Sequence, residues 1–181
     1  MEYIDTFITK PGQEIKFRYP TIDDAEILKN YINKISSEQS FLLLQGFQNT
    51  IESETKWLQD KLEKKSKNQC VYLCSFCDDQ LVACAEVELG FEAKSHVGNF
   101  GISVALEFRG QGIGEKLMEL TINESIKKLF GLRIVTLELF YENQIAQNLY
   151  RKLGFIEYGK LPNGLKRKGK FDDAIYMYKK V

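Results

Sequence analysis

One stretch constrains this chain more than any other: Ile102-Ser-Val-Ala-Leu-Glu-Phe-Arg-Gly-Gln-Gly-Ile-Gly-Glu115. An apolar, strand-like run passes into Arg109-Gly-Gln-Gly-Ile-Gly114, and those glycines open a long amphipathic helix over residues 112–130. Ile113, Leu117 and Leu120 form one apolar row of that helix, and Met118, Ile122, Ile126 and Leu129 form the adjacent one. Glycines at a helix entrance let the backbone approach a ligand closely and leave free N–H groups aimed at it. With the helix dipole added, such a turn suits a pyrophosphate. Two other phosphate-binding patterns fit worse. A nucleotide P-loop requires a Lys-Ser or Lys-Thr pair after its glycines, and none follows here. A dinucleotide fold places the turn after its first strand, with an acid about 20 residues on; here the turn comes late, behind strands that read as antiparallel.

The surrounding pattern predicts strands at 14–19, 70–77, 81–89, 97–106, 133–140, 155–159 and 174–179. Helices are predicted at 23–35, 51–65, 112–130 and 143–153. The helix at 51–65 takes its apolar stripe from Trp57, Leu58 and Leu62. Residues 36–50 read as a loop; its apolar Phe41-Leu-Leu-Leu44 is expected to pack on the core, with cover of a substrate cleft as the alternative. The order implies an α/β (α+β) layered architecture: a mixed, mostly antiparallel central sheet of about seven strands with helices on both faces. No internal repeat or low-complexity linker interrupts it, so a single domain over residues 1–181 is expected.

Composition narrows the function. Lys plus Arg and Asp plus Glu each number 25, a net charge of zero, which lacks the basic excess of a nucleic-acid binder. No apolar run approaches the ~20 residues that span a bilayer. The opening Met-Glu-Tyr-Ile-Asp lacks a basic and an apolar leader region, so a cytoplasmic location is expected. Cys70, Cys74 and Cys77, with Cys84 nearby, mimic a cluster-binding spacing. They lie in a β-prone run whose neighbouring side chains point to opposite faces, and the chain has one histidine, His96. Reduced, mostly buried structural cysteines and no metal are expected. His96 reads as structural or superficial, and Lys166-Arg-Lys-Gly-Lys170 as a solvated basic loop.

Two motifs in register carry a resemblance. Arg109-Gly-Gln-Gly-Ile-Gly114 fits the pattern [Q/R]-x-x-G-x-[G/A] after a strand. One strand further on, Asn143-Gln-Ile-Ala-Gln-Asn-Leu-Tyr150 leads to Gly154-Phe155. On these residues the chain resembles the GNAT superfamily of acyl-CoA N-acyltransferases, over nearly its whole length. Leu137-Glu138-Leu139 adds some resemblance to the ribosomal-protein-alanine N-acetyltransferases.

The resemblance implies the GNAT fold and an acetyl-CoA-dependent N-acetyltransferase. Acetyl would pass to a primary amine, of a small molecule or a protein N-terminus, by direct attack in a ternary complex. It implies that backbone groups of Ile102, Ser103 and Val104 pair with the pantetheine arm, in a gap opened where strands splay after Val104. The turn residues Arg109, Gly110, Gln111, Gly112, Ile113, Gly114 and Glu115 would bind the pyrophosphate through their N–H groups, and Asn143 would contact the arm. Tyr150 would be the acid that protonates the leaving thiolate, and the Val104 N–H the oxyanion donor. Glu138 is the first candidate base, with Glu86, Glu88 or a relayed water as alternatives. The basic run could meet an acidic acceptor or the adenosine 3′-phosphate. Oligomeric state is not written in the sequence; dimers are common in the family, and a homodimer here rests on that analogy alone. The alternative function is a CoA-binding regulatory or interaction module with no turnover.

Overall fold

A computed structural model describes residues 2–181. Pro11-Gly12 separates two short β-prone runs, β1 (Asp5–Ile8) and β2 (Glu14–Arg18), as an antiparallel hairpin. Pro20 and Thr21 then stop the strand. The Asp24 side chain accepts the Thr21 N–H at 2.7 Å, fixing the turn that starts α1 (Ala25–Ser37). After an irregular loop, Thr50 caps α2 (Ile51–Ser66) by accepting the Ser53 N–H. Strands β3 (Cys70–Cys77) and β4 (Gln80–Leu89) turn at Asp78-Asp79, and β5 (Val97–Val104) follows antiparallel to β4. The glycine turn leads into α3 (Ile113–Lys128), then β6 (Ile134–Phe140), α4 (Gln144–Lys152) and the hairpin β7 (Ile156–Arg167) and β8 (Lys170–Lys180).

Among the described residues, the eight strands form one sheet in the order β1-β2-β3-β4-β5-β6-β8-β7. The expected architecture is therefore present with one strand more than the sequence pattern shows, since β1 has only four residues and half of them are exposed. The basic run 166–170 is the tip of the long β7–β8 hairpin, not a free loop between short strands. Only β5 and β6 pair in parallel, and only through Val97–Asn99 against Ile134–Thr136. Beyond those three pairs the strands part, so the splay begins after Asn99, well before the expected Val104.

Helices α1 and α2 pack on one face of the sheet. There the Tyr31 hydroxyl lies 2.9 Å from Ser103 Oγ, and Trp57 meets Tyr72 edge-on with ring centroids 5.3 Å apart. Helix α3 covers the other face, where Gly114 lies against Val104. Two helical stripes differ from expectation. In α3, Ile126 is 51% exposed, and Thr121 and Ser125 are buried instead. Each satisfies its hydroxyl by donating to the carbonyl four residues earlier, at 2.7 and 2.6 Å. In α2 the inward residues are Glu54, Leu58 and Lys61, because polar partners wait opposite both charged groups. Cys70, Cys74 and Cys84 are buried in the core, Cys77 is half-buried, and all four are free thiols.

Candidate active site

Strand alternation decides what the split exposes. The Ala105 N–H donates to Val82 O on β4, and Gly90 donates to Val97 O, so odd-numbered residues of β5 turn their backbone groups to β4. His96 O accepts from Arg133 and Ile134 on the other side, so even-numbered residues face β6. Past Asn99 there is no β6 to receive them. The backbone groups of Ile102 and Val104 thus face the gap, whereas those of Ser103 turn to Cys84 on β4. Of the three residues expected to offer backbone groups, Ser103 contributes its hydroxyl to Tyr31 instead.

At the end of β5 the chain bends into the glycine turn. Gly110 and Gly112 have φ of +74° and +87°, a region in which a Cβ is strained. Gly112 also abuts a ring: a Cβ there would lie 3.2 Å from Phe7 Cζ. Gly112 caps α3, its carbonyl receiving the Lys116 N–H, so the N–H groups of Ile113, Gly114 and Glu115 open the helix without intrahelical partners. The Ile113 side chain is buried beneath the turn. The Arg109 side chain braces the turn: its Nε donates to Val104 O at 2.8 Å and its guanidinium pairs with Glu38. Gln111 Nε2 likewise donates to Glu107 O at 3.0 Å. Lys152 of α4 neutralises Glu115, leaving the turn less acidic than its sequence suggests. Main-chain donors at a helix start fit a pyrophosphate, and the extended free edge of β5 fits an amide-bearing arm.

A cavity of about 520 Å³ opens at the split, on the face covered by α1 and α2. It brings together Ile102, Ser103, Asn143, Tyr150 and Glu138, and also Glu86. Asn143 caps α4, its Oδ1 accepting the Ala146 N–H at 3.2 Å. Tyr150 is 8% exposed, and burial pushes its phenol up to about 12, so it is neutral across the physiological range. Glu138 is exposed to the cavity, and its hydrogen bond with Tyr176, directly opposite on β8, raises that phenol. Glu86 and Glu88 are engaged elsewhere: Lys61 Nζ lies 2.5 Å from one carboxylate and 2.6 Å from the other. The same ammonium sits among Cys70, Glu86 and Glu88, the one cluster of metal-type donors among the described residues, and supplies its positive charge. Burial pushes the Cys70 thiol up to about 12.

The loop between α1 and α2 lines this cavity through Phe41, Leu42, Leu43 and Phe47. Leu43 and Phe47 are 63% and 67% exposed, whereas Phe41, Leu42 and Leu44 are half-buried, Phe41 against Phe140 and Leu42 against the core, so the segment packs inward and also lines the cleft. Arg167, from the hairpin tip, stacks over Phe41 and pairs with Glu142, so one charge of the basic run has a fixed place. His96 is exposed, and its backbone carbonyl accepts from the Arg133 and Ile134 N–H groups. Sequence reasoning missed Tyr31, Glu54 and Tyr72 on the cavity wall. The available signal for Glu54 was its helical spacing with Leu58 and Lys61.

A model of the acetyltransferase (GNAT) family matches residues 37–155, which include the glycine turn, Asn143 and Tyr150. The chain belongs to the GNAT family. The L-amino acid N-acetyltransferase AaaT of Escherichia coli (strain K12) is 32% identical over 84 residues, 46% of this chain and 51% of that protein. The chain spans about half or less of the curated relatives it matches. Among solved structures, a GNAT-family acetyltransferase from Streptococcus pneumoniae superposes with a TM-score of 0.84 at 25% identity, over 92% of this chain and 99% of that one. The ribosomal-protein-alanine N-acetyltransferase of Brucella melitensis shares the fold, with a TM-score of 0.79 at 23% identity over 91% and 99%. Other proteins of this fold have been solved with coenzyme A or acetyl-CoA bound.

Proposed function

We propose that this GNAT-family protein is a cytoplasmic, single-domain N-acetyltransferase that moves acetyl from acetyl-CoA to a primary amine. The observation that carries the reading is the convergence of Tyr150, Glu138 and the unpaired edge of β5 on one cavity. The N–H groups of residues 110–115 hold the pyrophosphate, since that of Arg109, also expected there, already donates to Leu106 O at 3.3 Å, and Ile102, Val104 and Asn143 hold the pantetheine arm. Bound acetyl-CoA supplies the activated acyl carbon and the leaving thiolate.

The chain's own groups then divide the proton and charge work. An alkylammonium must lose a proton before its nitrogen can attack, and Glu138 accepts it directly or through one water. The attack places negative charge on the former carbonyl oxygen, and the Val104 N–H, fixed by the strand and facing the gap, donates to it. Tyr150 delivers its phenolic proton to the thiolate as the carbon–sulfur bond breaks. Burial keeps that proton in place until the negative charge of the departing thiolate develops beside it.

The test is amine-dependent thiol release from acetyl-CoA over a panel of alkylamines, amino acids, aminoglycosides and short peptides, with Tyr150→Phe in parallel. A no-amine baseline accounts for the four cysteines. Release that depends on the amine and collapses in the variant supports the assignment. Coenzyme A binding by calorimetry with no release for any amine class would favour a binding module, and no binding would refute the reading.

A further inference from the structure

We infer that Glu54 selects the far end of the acceptor: the cavity takes an amine whose apolar chain or ring leads to a second positively charged nitrogen, and it disfavours acceptors bearing a carboxylate there. This inference rests on the acetyltransferase reading above and narrows its substrate.

Charge on the cavity wall is one-sided. Its ionisable residues are three glutamates, three tyrosines and the buried thiol of Cys84; among the described residues no lysine, arginine or histidine lines it. A free amino acid would bring its carboxylate among Glu54, Glu86 and Glu138 with no wall cation to receive it, a costly placement away from water. The glutamates are not equivalent. Glu86 is neutralised by Lys61. Glu138 stands on β6, beside the reacting end marked by Asn143 and Tyr150. Glu54 comes from the first turn of α2, on a different wall, and is only 3% exposed. Asn49 Nδ2 donates to its Oε2 at 2.7 Å, and no cation pairs with it among the described residues. Burial raises its carboxyl above the ordinary range, the response of a buried acid that lacks a counter-charge.

The rest of the cavity wall is mostly apolar and aromatic. Phe41, Leu42 and Phe47 come from the loop, Trp57 from α2, Ile32 from α1 and Tyr72 from β3. Such walls suit methylene or ring carbons, and the aromatic faces also tolerate a cation passing between them. A nitrogen at each end with hydrocarbon between satisfies all three zones. The reacting nitrogen gives its proton at the Glu138 end, while the second stays protonated and donates to Glu54.

Three probes differing only at the far end test this without any mutation: an n-alkylamine, the α,ω-diamine and the ω-amino acid of equal carbon number, over roughly four to eight carbons, lengths a cavity of this size encloses. The expected order of kcat/KM is diamine, then alkylamine, then ω-amino acid. The diamine should lead by at least about tenfold, beyond the roughly twofold statistical advantage of two reactive ends, and the difference should lie in KM. Glu54→Gln, which retains a partner for Asn49, should bring the diamine-to-alkylamine ratio close to that statistical value. Glu54→Asp should preserve a preference with its best chain length displaced upward. An ω-amino acid that outperforms the alkylamine, or a diamine ratio unaltered in Glu54→Gln, would overturn the assignment. If Glu54→Gln does not fold, the wild-type order alone decides. Acetylation of all three probes without ranking defeats only this inference, whereas acetylation of no amine defeats the enzyme reading itself.

Discussion

Lys61 Nζ lies between Glu86 and Glu88, 2.5 and 2.6 Å from their carboxylates, and so removes from competition two of the three acids near the split. Burial opposes the charge on Lys61, but the two glutamates outweigh it and hold the ammonium above its ordinary range. Among the described residues Glu138 has no such partner and meets the phenol of Tyr176. Glu138→Gln is therefore expected to lower kcat about 10²-fold or more, the usual reach of a general base, while Glu86→Gln costs less than about tenfold. Steady-state rates near neutral pH decide between them. An equal loss in both variants would return the base assignment to a relayed water.

Tyr150 gives a prediction with a pH signature. Its phenol is pushed up to about 12 by burial, so the proton-bearing form persists well past the ordinary tyrosine value near 10. The kcat profile should show no descending limb up to about pH 10. Tyr150→Phe should lower kcat by about 10²–10⁴-fold with little change in the affinity for coenzyme A. A fall in kcat centred below pH 10 in the wild type, or a variant of full activity, would remove Tyr150 from the acid role.

Two glycines in one turn make a matched pair. Gly110 and Gly112 both hold positive φ, but the space above Gly110 is open whereas a Cβ on Gly112 meets the Phe7 ring. Gly110→Ala should cost only about 1 kcal/mol of backbone strain. Gly112→Asp should weaken coenzyme A at least about tenfold, since it adds crowding and sets a carboxylate against the pyrophosphate. Calorimetric titration of both variants, with thermal melts for folding, separates the two effects.

The buried pair Arg18 and Asp24 ties β2 to the start of α1. Two hydrogen bonds of 2.7 Å join guanidinium and carboxylate, and the guanidinium also stacks on Phe76. Arg18→Met leaves Asp24 buried without its partner, and a loss of about 3–5 kcal/mol is expected in denaturant titration. Burial alone would raise the Asp24 carboxyl, but Arg18 and the Thr21 N–H outweigh it and hold it low. A carboxyl depressed in the folded state stabilises the protein above its unfolded pKa of about 3.9, and that contribution fades as pH falls through the folded value. Asp24→Asn should therefore be less stable than wild type at neutral pH and converge toward it in strong acid.

Local rules made most of the fold legible. The Cys70–Cys77 run, the glycine punctuation around α3 and the Asn143 cap each name an element by short-range physics. What escaped depends on partners distant in the chain. Strand β1 is too short to show a period and exists because β2 offers it an edge. The turn formers in 160–170 suggested a loop, yet pairing with β8 carries both strands to the hairpin tip. Glu54 and Lys61 look like solvent-facing charges of α2, and only Asn49, Glu86 and Glu88 make their burial tolerable. The onset of the splay is equally non-local, since the three residue pairs that close β5 against β6 leave no mark on either strand's composition.

Among the described residues, those three pairs are all that joins β5 to β6 within the eight-stranded sheet. Five strands lie to one side of the seam and three to the other, and beyond Asn99 the seam lacks the cross-links that stiffen a sheet. An extended molecule lying along β5 becomes a temporary rung, locking one wing to the other while it stays. On the proposed function, what places the ligand also completes the sheet.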